Sequence, residues 1–200
     1  MRPAALLVLL LAAACAGPRR GGPLASARVA PDFATYALRR VGLVPFQGEE
    51  LAPEQAHALQ SAFYSEFSAR AGFEVVVLDA ADLAEVPKSE GYRLGEYEPR
   101  TIIAVARRYR LDAVLVGTVT DLRVFAPQRL GLEVDLVASE TGLAIWAASV
   151  YLDAAQGRTR EGLERWSRKE LGAEGDDWRV GLLSPSRFVG FAAYEMARLL

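Results

Sequence analysis

The chain has 200 residues, with 23 Lys and Arg against 25 Asp and Glu, one His and one Cys. That length fits one domain, and a hydrophobic content of 52% is that of a globular chain rather than a disordered one. A net charge of −2 implies no basic nucleic-acid face, one Cys excludes an intrachain disulfide and a Cys-built zinc site, and one His excludes a His-rich metal centre.

The first segment reads MRPAALLVLLLAAAC. Arg2 supplies a positive start, and Ala4 through Ala14 form an unbroken apolar run. The run is too short to span a bilayer, which takes about 20 residues, and it has the length of a secretory apolar region. It ends in Ala12, Ala13 and Ala14, directly before the lone cysteine, Cys15. This end resembles a bacterial lipoprotein signal. The resemblance implies that residues 1–14 are removed and that Cys15 is acylated and becomes the membrane anchor. The usual Leu three places before the cysteine is here Ala12, with Leu11 one place further back. An ordinary secretory signal cut near Ala14 is the alternative. By the same resemblance, Ala16 rather than Asp after the cysteine implies the outer membrane, with the protein facing the periplasm.

Residues 15–38 are rich in Gly, Pro, Ala and Arg without a sustained period, which predicts a flexible tether. A single folded domain is expected over 39–200. Its first strand is the apolar run 41–46, with Pro45 at the exit because Pro cannot donate within a ladder. Residues 47–50 are expected to be a loop. Pro53 opens a helix to Arg70, with Ala56, Leu59, Phe63 and Phe67 on one face. Residues 73–78, FEVVVL, form a second strand. A short helical turn over 79–86 precedes a polar loop, 87–99, that carries Tyr92 and Tyr97. A helix over 100–110 turns Ile102, Ile103, Ala106 and Tyr109 inward and Arg107 and Arg108 outward.

Residues 112–125 make a third strand, in which Gly117 suggests a close approach by a neighbour. Alternation in 132–137 and the apolar run 143–152 complete an antiparallel meander, turned at Gly142. A charged helix over 159–171 has Leu163, Trp166 and Leu171 as its sparse apolar positions. Residues 172–177 form a flexible break. Ser184 and Pro185 start the last helix as N-cap and first residue. All of its periodic positions except Glu195 form one apolar face. The expected class is therefore α/β with a mixed sheet, in the order β-α-β-α-β-β-β-α-α with helices packed on it. Right-handed crossovers are expected to place the first helices on one face.

The helix running into Asp112-Ala113 with Gly117-Thr118, and the turn Thr141-Gly142 followed by Trp146, are similar to signatures of a group of bacterial envelope lipoproteins. That group includes the curli-secretion channel (CsgG-like), the activator of penicillin-binding proteins (LpoB-like) and the TolB amino-terminal type. The resemblance spans about 41–153. It implies a periplasmic α/β domain, held at a membrane through Cys15, that binds other envelope proteins. The chain lacks the long added hairpins of the curli channel, and its tether is short beside that of the synthase activator.

The residues gather no chemistry of their own. His57 lies on the first helix near Glu54 and Ser61, without a Ser-His-Asp grouping. The pairs Glu49-Glu50 and Asp176-Asp177 lack calcium-loop spacing. No catalytic residue, metal ligand or cofactor is expected. The expected interaction surface is Trp166, Tyr92, Tyr97, Arg107 and Arg108, for envelope proteins and not nucleic acid. An oligomeric assembly component and an unrecognised hydrolase are the alternative readings.

Overall fold

An apolar run from 113, alternation along 129–138 and a second apolar run over 144–152 produce three long antiparallel strands, and two shorter apolar runs before them add parallel strands on one side. The strands are β1 (Ala25–Val29), β2 (Arg40–Leu43), β3 (Gln47–Gly48), β4 (Glu74–Val77), β5 (Ala113–Arg123), β6 (Arg129–Ala138) and β7 (Ala144–Asp153). The helices are α1 (Pro53–Arg70), α2 (Ala80–Ala84), α3 (Pro99–Tyr109), α4 (Gly157–Glu170) and α5 (Pro185–Ala197). These come from a computed structural model of the chain, which describes residues 22–84 and 99–200. The segment 1–21 with Cys15, and most of the loop with Tyr92 and Tyr97, lie outside the described residues.

The sheet is mixed, in the order β1-β7-β6-β5-β2-β4, with β3 pairing alongside β5. The elements expected over 41–46, 53–70, 73–78, 100–110, the meander and the last two helices are present. Residues 47–48, expected in a loop, instead pair with Thr118 and Val119.

Two expectations are corrected. The first is the tether over 15–38. Ala25–Val29 is a strand that pairs antiparallel with β7, from Ala25 opposite Val150 to Val29 opposite Trp146. Leu24, Phe33, Tyr36 and Leu38 also pack on the main core. The free edge of β7 supplies the backbone partners, so a segment with only one buried strand residue, Ala25, is ordered all the same.

The second correction concerns the first two crossover helices, which lie on opposite faces of the sheet. Leu59, Phe63 and Phe67 of α1 pack with Leu43, Ala113 and Leu115, whereas Ile102, Val105 and Ala106 of α3 pack with Val114 and Val116. Successive strand residues point to opposite faces, so the two groups are separated by the sheet. Strand order explains this. The crossover through α1 steps from β2 outward to β4, and the next steps back across β2 to β5. Two crossovers of one hand that run in opposite directions must cover opposite faces.

Helices α1, α4 and α5 cover the larger core. A file of rings, Phe46, Phe63, Phe67 and Trp146, crosses it with centroids 4.7, 5.6 and 6.0 Å apart. The two sequence signatures acquire physical reasons here. The Asp112 carboxylate accepts the backbone N–H groups of Arg39 and Arg40, at 2.8 and 2.9 Å, and fixes the start of β2. A Cβ on Gly117 would lie 2.2 Å from the Phe46 ring, so only glycine admits that ring against β5. Gly142 turns the chain at φ +69°, and Trp146 beyond it donates its indole N–H to Leu199 O at 3.2 Å.

Candidate interaction surfaces

In open α/β sheets, ligands bind where adjacent strands send their carboxyl-terminal connections to opposite faces. Here that place lies between β2 and β4. It is spanned by Gln60 of α1, whose amide donates to Leu43 O at 2.9 Å and to Leu78 O at 2.8 Å. Gln60 is buried, so its side chain ties the two strand ends together. The sequence gives little sign of this role, because Gln60 neighbours Leu59 on a helix whose apolar spacing already accounts for the buried face.

The structure separates the expected interaction residues. Arg107 and Arg108 are exposed on α3, and the Arg108 guanidinium lies over the Tyr109 ring, 5.7 Å from its centroid. The Asp79 N–H and then the Tyr109 hydroxyl, which donates to Asp82 Oδ1 at 3.0 Å, hold the neighbouring Asp82 carboxyl below its usual range. Trp166 is on α4, across the sheet from α3. As an exposed interface residue it is corrected: it is 5% exposed and packs on Phe191 and Tyr194, with centroids 5.6 and 6.4 Å away. Its helix buries the small residues Thr159, Gly162 and Ser167 beside Leu163, and small buried residues leave little apolar signal. Cys15, Tyr92 and Tyr97 lie outside the described residues.

His57 is exposed, and its imidazole makes no hydrogen bond among the described residues. Asp176 pairs with Arg179 at 3.4 Å. Among the described residues, no group of three or more His, Cys, Asp or Glu side chains is placed to hold a metal ion, and no helix is long and apolar enough to cross a membrane.

A further open surface is on the sheet itself. On the face that carries α3, that helix covers β5, the strands beyond it and Val137 of β6, whereas Glu133 and Asp135 of β6 and the residues beside them on β7 and β1 are left open. Register places Ser26 opposite Ser149 and Ser149 opposite Glu133, and in the next row Arg28 opposite Ala147 and Ala147 opposite Asp135. The Ser26 and Ser149 hydroxyls are 3.2 Å apart. Tyr151, half exposed, donates to Asp121 at 3.3 Å and closes one end of the strip. Burial and then the Glu133 charge push the Asp135 carboxyl above its usual range, against the pull of Arg28. Small side chains down the middle and charges at the sides make a shallow trough. Sequence reasoning missed it because β1 was hidden in the supposed tether. The available signal was the acidic half of the β6 alternation, Glu133 and Asp135.

No family model and no curated protein sequence matches this chain. Several solved structures are similar to it. The PelC dodecamer from Paraburkholderia phytofirmans is 17% identical, with 68% of this chain and 85% of that one covered, at a TM-score of 0.46. Lipoprotein GNA1162 from Neisseria meningitidis is 19% identical, with 68% and 99% covered, at 0.44. The C-terminal domain of LpoB from Escherichia coli is 17% identical, with 56% and 82% covered, at 0.39.

Proposed function

We propose that the chain is an envelope lipoprotein, anchored through an acylated Cys15 in the outer membrane, whose periplasmic domain binds other envelope proteins and catalyses no reaction. The apolar run 4–14 ending at the lone cysteine supports the anchor. The open strip Ser26, Arg28, Glu133, Asp135, Ala147 and Ser149 is the observation that carries the binding role. A sheet face left open in a mixed α/β domain is polar, shallow and wide. Such a surface suits the face of another protein better than a small substrate, which takes a concave pocket.

A photoreactive side chain at Ser149 is expected to crosslink to an envelope protein in intact cells. The same group at His57, exposed on α1, is expected not to. Ala147→Arg fills the middle of the trough and is expected to abolish the crosslink without unfolding the chain. Equal crosslinking at both positions, or survival of the crosslink in Ala147→Arg, overturns the assignment. A product made of two copies of this chain favours the oligomeric assembly reading instead, for which the edge of β1, unpaired among the described residues, is the natural contact. The anchor has its own test: metabolic labelling with an alkyne fatty acid is expected to mark the native chain and to be lost in Cys15→Ser.

A further inference from the structure

Helices α4 and α5 and the residues just before β1 enclose a cleft of about 570 Å³, within the range of small-ligand sites. Trp166 and Tyr194 form its aromatic wall, and Arg165, Lys169 and Arg198 stand around it. Arg165 and Lys169 are one helical turn apart, so both present to the same side of α4. Two of these cations are already engaged. Arg198 pairs with the buried Glu195 at 3.1 Å, and Lys169 with Glu170 at 3.0 Å and the Tyr194 hydroxyl at 3.4 Å.

Arg165 differs from its neighbours on α4. Arg158 is spent on the carbonyls of Gly22 and Pro23, Arg160 on Ala155 O, and Arg168 on Glu164 and Gly175 O. The Arg165 side chain is exposed and makes no hydrogen bond or ion pair among the described residues, and its charge acts only at longer range, on the Glu195 carboxyl. The lining thus sets three cations against the one carboxyl of Glu195, and that excess of positive charge beside an aromatic wall calls for an anion.

The position of the cleft names the source of that anion. Its rim includes Gly22, seven residues after Cys15. Seven residues reach at most about 25 Å when fully extended. A cleft on so short a leash from an acylated Cys15 is within reach of the lipid head groups, where basic side chains meet anionic lipids.

We infer that the Arg165–Lys169–Arg198 cleft binds the phosphate-bearing head group of an anionic membrane phospholipid and so fixes the orientation of the domain on its own membrane. This rests on the reading of Cys15 as the anchor. Head-group capture would hold α4 and α5 toward the bilayer.

The test uses the full chain in neutral detergent micelles, with the indole N–H resonance of Trp166, assigned through Trp166→Phe, as the reporter. Soluble dihexanoyl phosphatidylglycerol is expected to shift that resonance saturably, and dihexanoyl phosphatidylcholine is expected not to. Arg165→Ala and Lys169→Ala are each expected to weaken binding about fivefold, and Arg165→Lys to restore most of it. All three sit on an exposed helix side, so folding is retained. No saturable shift, or an unchanged affinity in both alanine variants, overturns the inference. Inorganic phosphate binding as tightly as phosphatidylglycerol overturns the lipid as the occupant. Loss of the fatty-acid label would defeat the anchor and leave this titration unchanged, so the two failures are distinguishable.

Discussion

Along β6, Leu132, Val134 and Leu136 are at most 1% exposed, and the residues between them, Glu133 and Asp135, face the open trough. On β7, Trp146, Ala148, Val150 and Leu152 are buried, and Ser149 and Tyr151 face outward. One set of strands thus carries two surfaces of opposite character. The inward set is packed by three helices and holds the fold. The outward set touches little of the protein and is free to be shaped by a partner. Substitutions on the two faces should therefore separate stability from binding, even at adjacent residues.

The strongest way to break that contrast is on the inward side. Phe67 is fully buried between Phe63 and Trp146. Phe67→Ala is expected to lower stability by about 3–5 kcal/mol, read as a lower midpoint in chemical denaturation. A loss below about 1 kcal/mol would mean that the aromatic file is not the centre of the core.

Gln60→Leu is next. The variant keeps the bulk and removes the donor that Leu43 O and Leu78 O share. The Leu43 carbonyl still accepts from the Leu78 N–H, so neither strand end comes apart entirely. A loss of about 1–3 kcal/mol is expected, with faster amide exchange at Leu78 as the local sign. An unchanged stability would show that the β2–β4 end is held by its backbone alone.

Ala147→Arg, in the middle of the trough, should move stability by no more than about 0.5 kcal/mol and yet abolish the crosslink from Ser149. A large destabilisation here would show that the open face is packed after all.

How much of this was legible follows from where each signal resides. That Phe63 and Phe67 face inward was legible from the spacing on α1, and the apolar runs 41–46 and 143–152 announce strands that carry Phe46 and Trp146. The file these four rings form was not legible, because it joins three separate segments. The placement of α1 and α3 on opposite faces was not legible either. The handedness rule needs the strand order, and nothing local in 79–123 says that β5 returns to the far side of β2. Ala25–Val29 carried no period because the partner edge orders it. Trp166 and Glu195 share one cause of error. Trp166 sits among charges on α4 and Glu195 interrupts the apolar face of α5, yet both are buried where the two helices and Leu24 meet. Composition shows what a helix carries, not which side another element covers. The trough became visible only once β1 was placed.

The smallest effect concerns two carboxyls, one on each side of the sheet. Burial pushes Glu195 above its ordinary 4.5, against Arg198 and the Leu24 N–H. Burial and then Glu133 push Asp135 above its ordinary 3.8. In each case the folded chain holds the proton more tightly than the unfolded one. The stabilisation is complete below the ordinary value and is lost as pH rises through the raised one. Glu195→Gln and Asp135→Asn cannot ionise, so each should flatten the fall in stability on raising the pH from about 4 to 7. The Glu195 variant should do so more, because its side chain is buried in the wall of the α4–α5 cleft, whereas Asp135 is partly open to water and screened by it. For Asp135→Asn the gain at neutral pH should not exceed about 0.5 kcal/mol. Denaturation midpoints across that range read both slopes. An equal slope for the two variants would mean that water reaches the covered side as readily as the open one, and the contrast between the faces would fail at its most sensitive point.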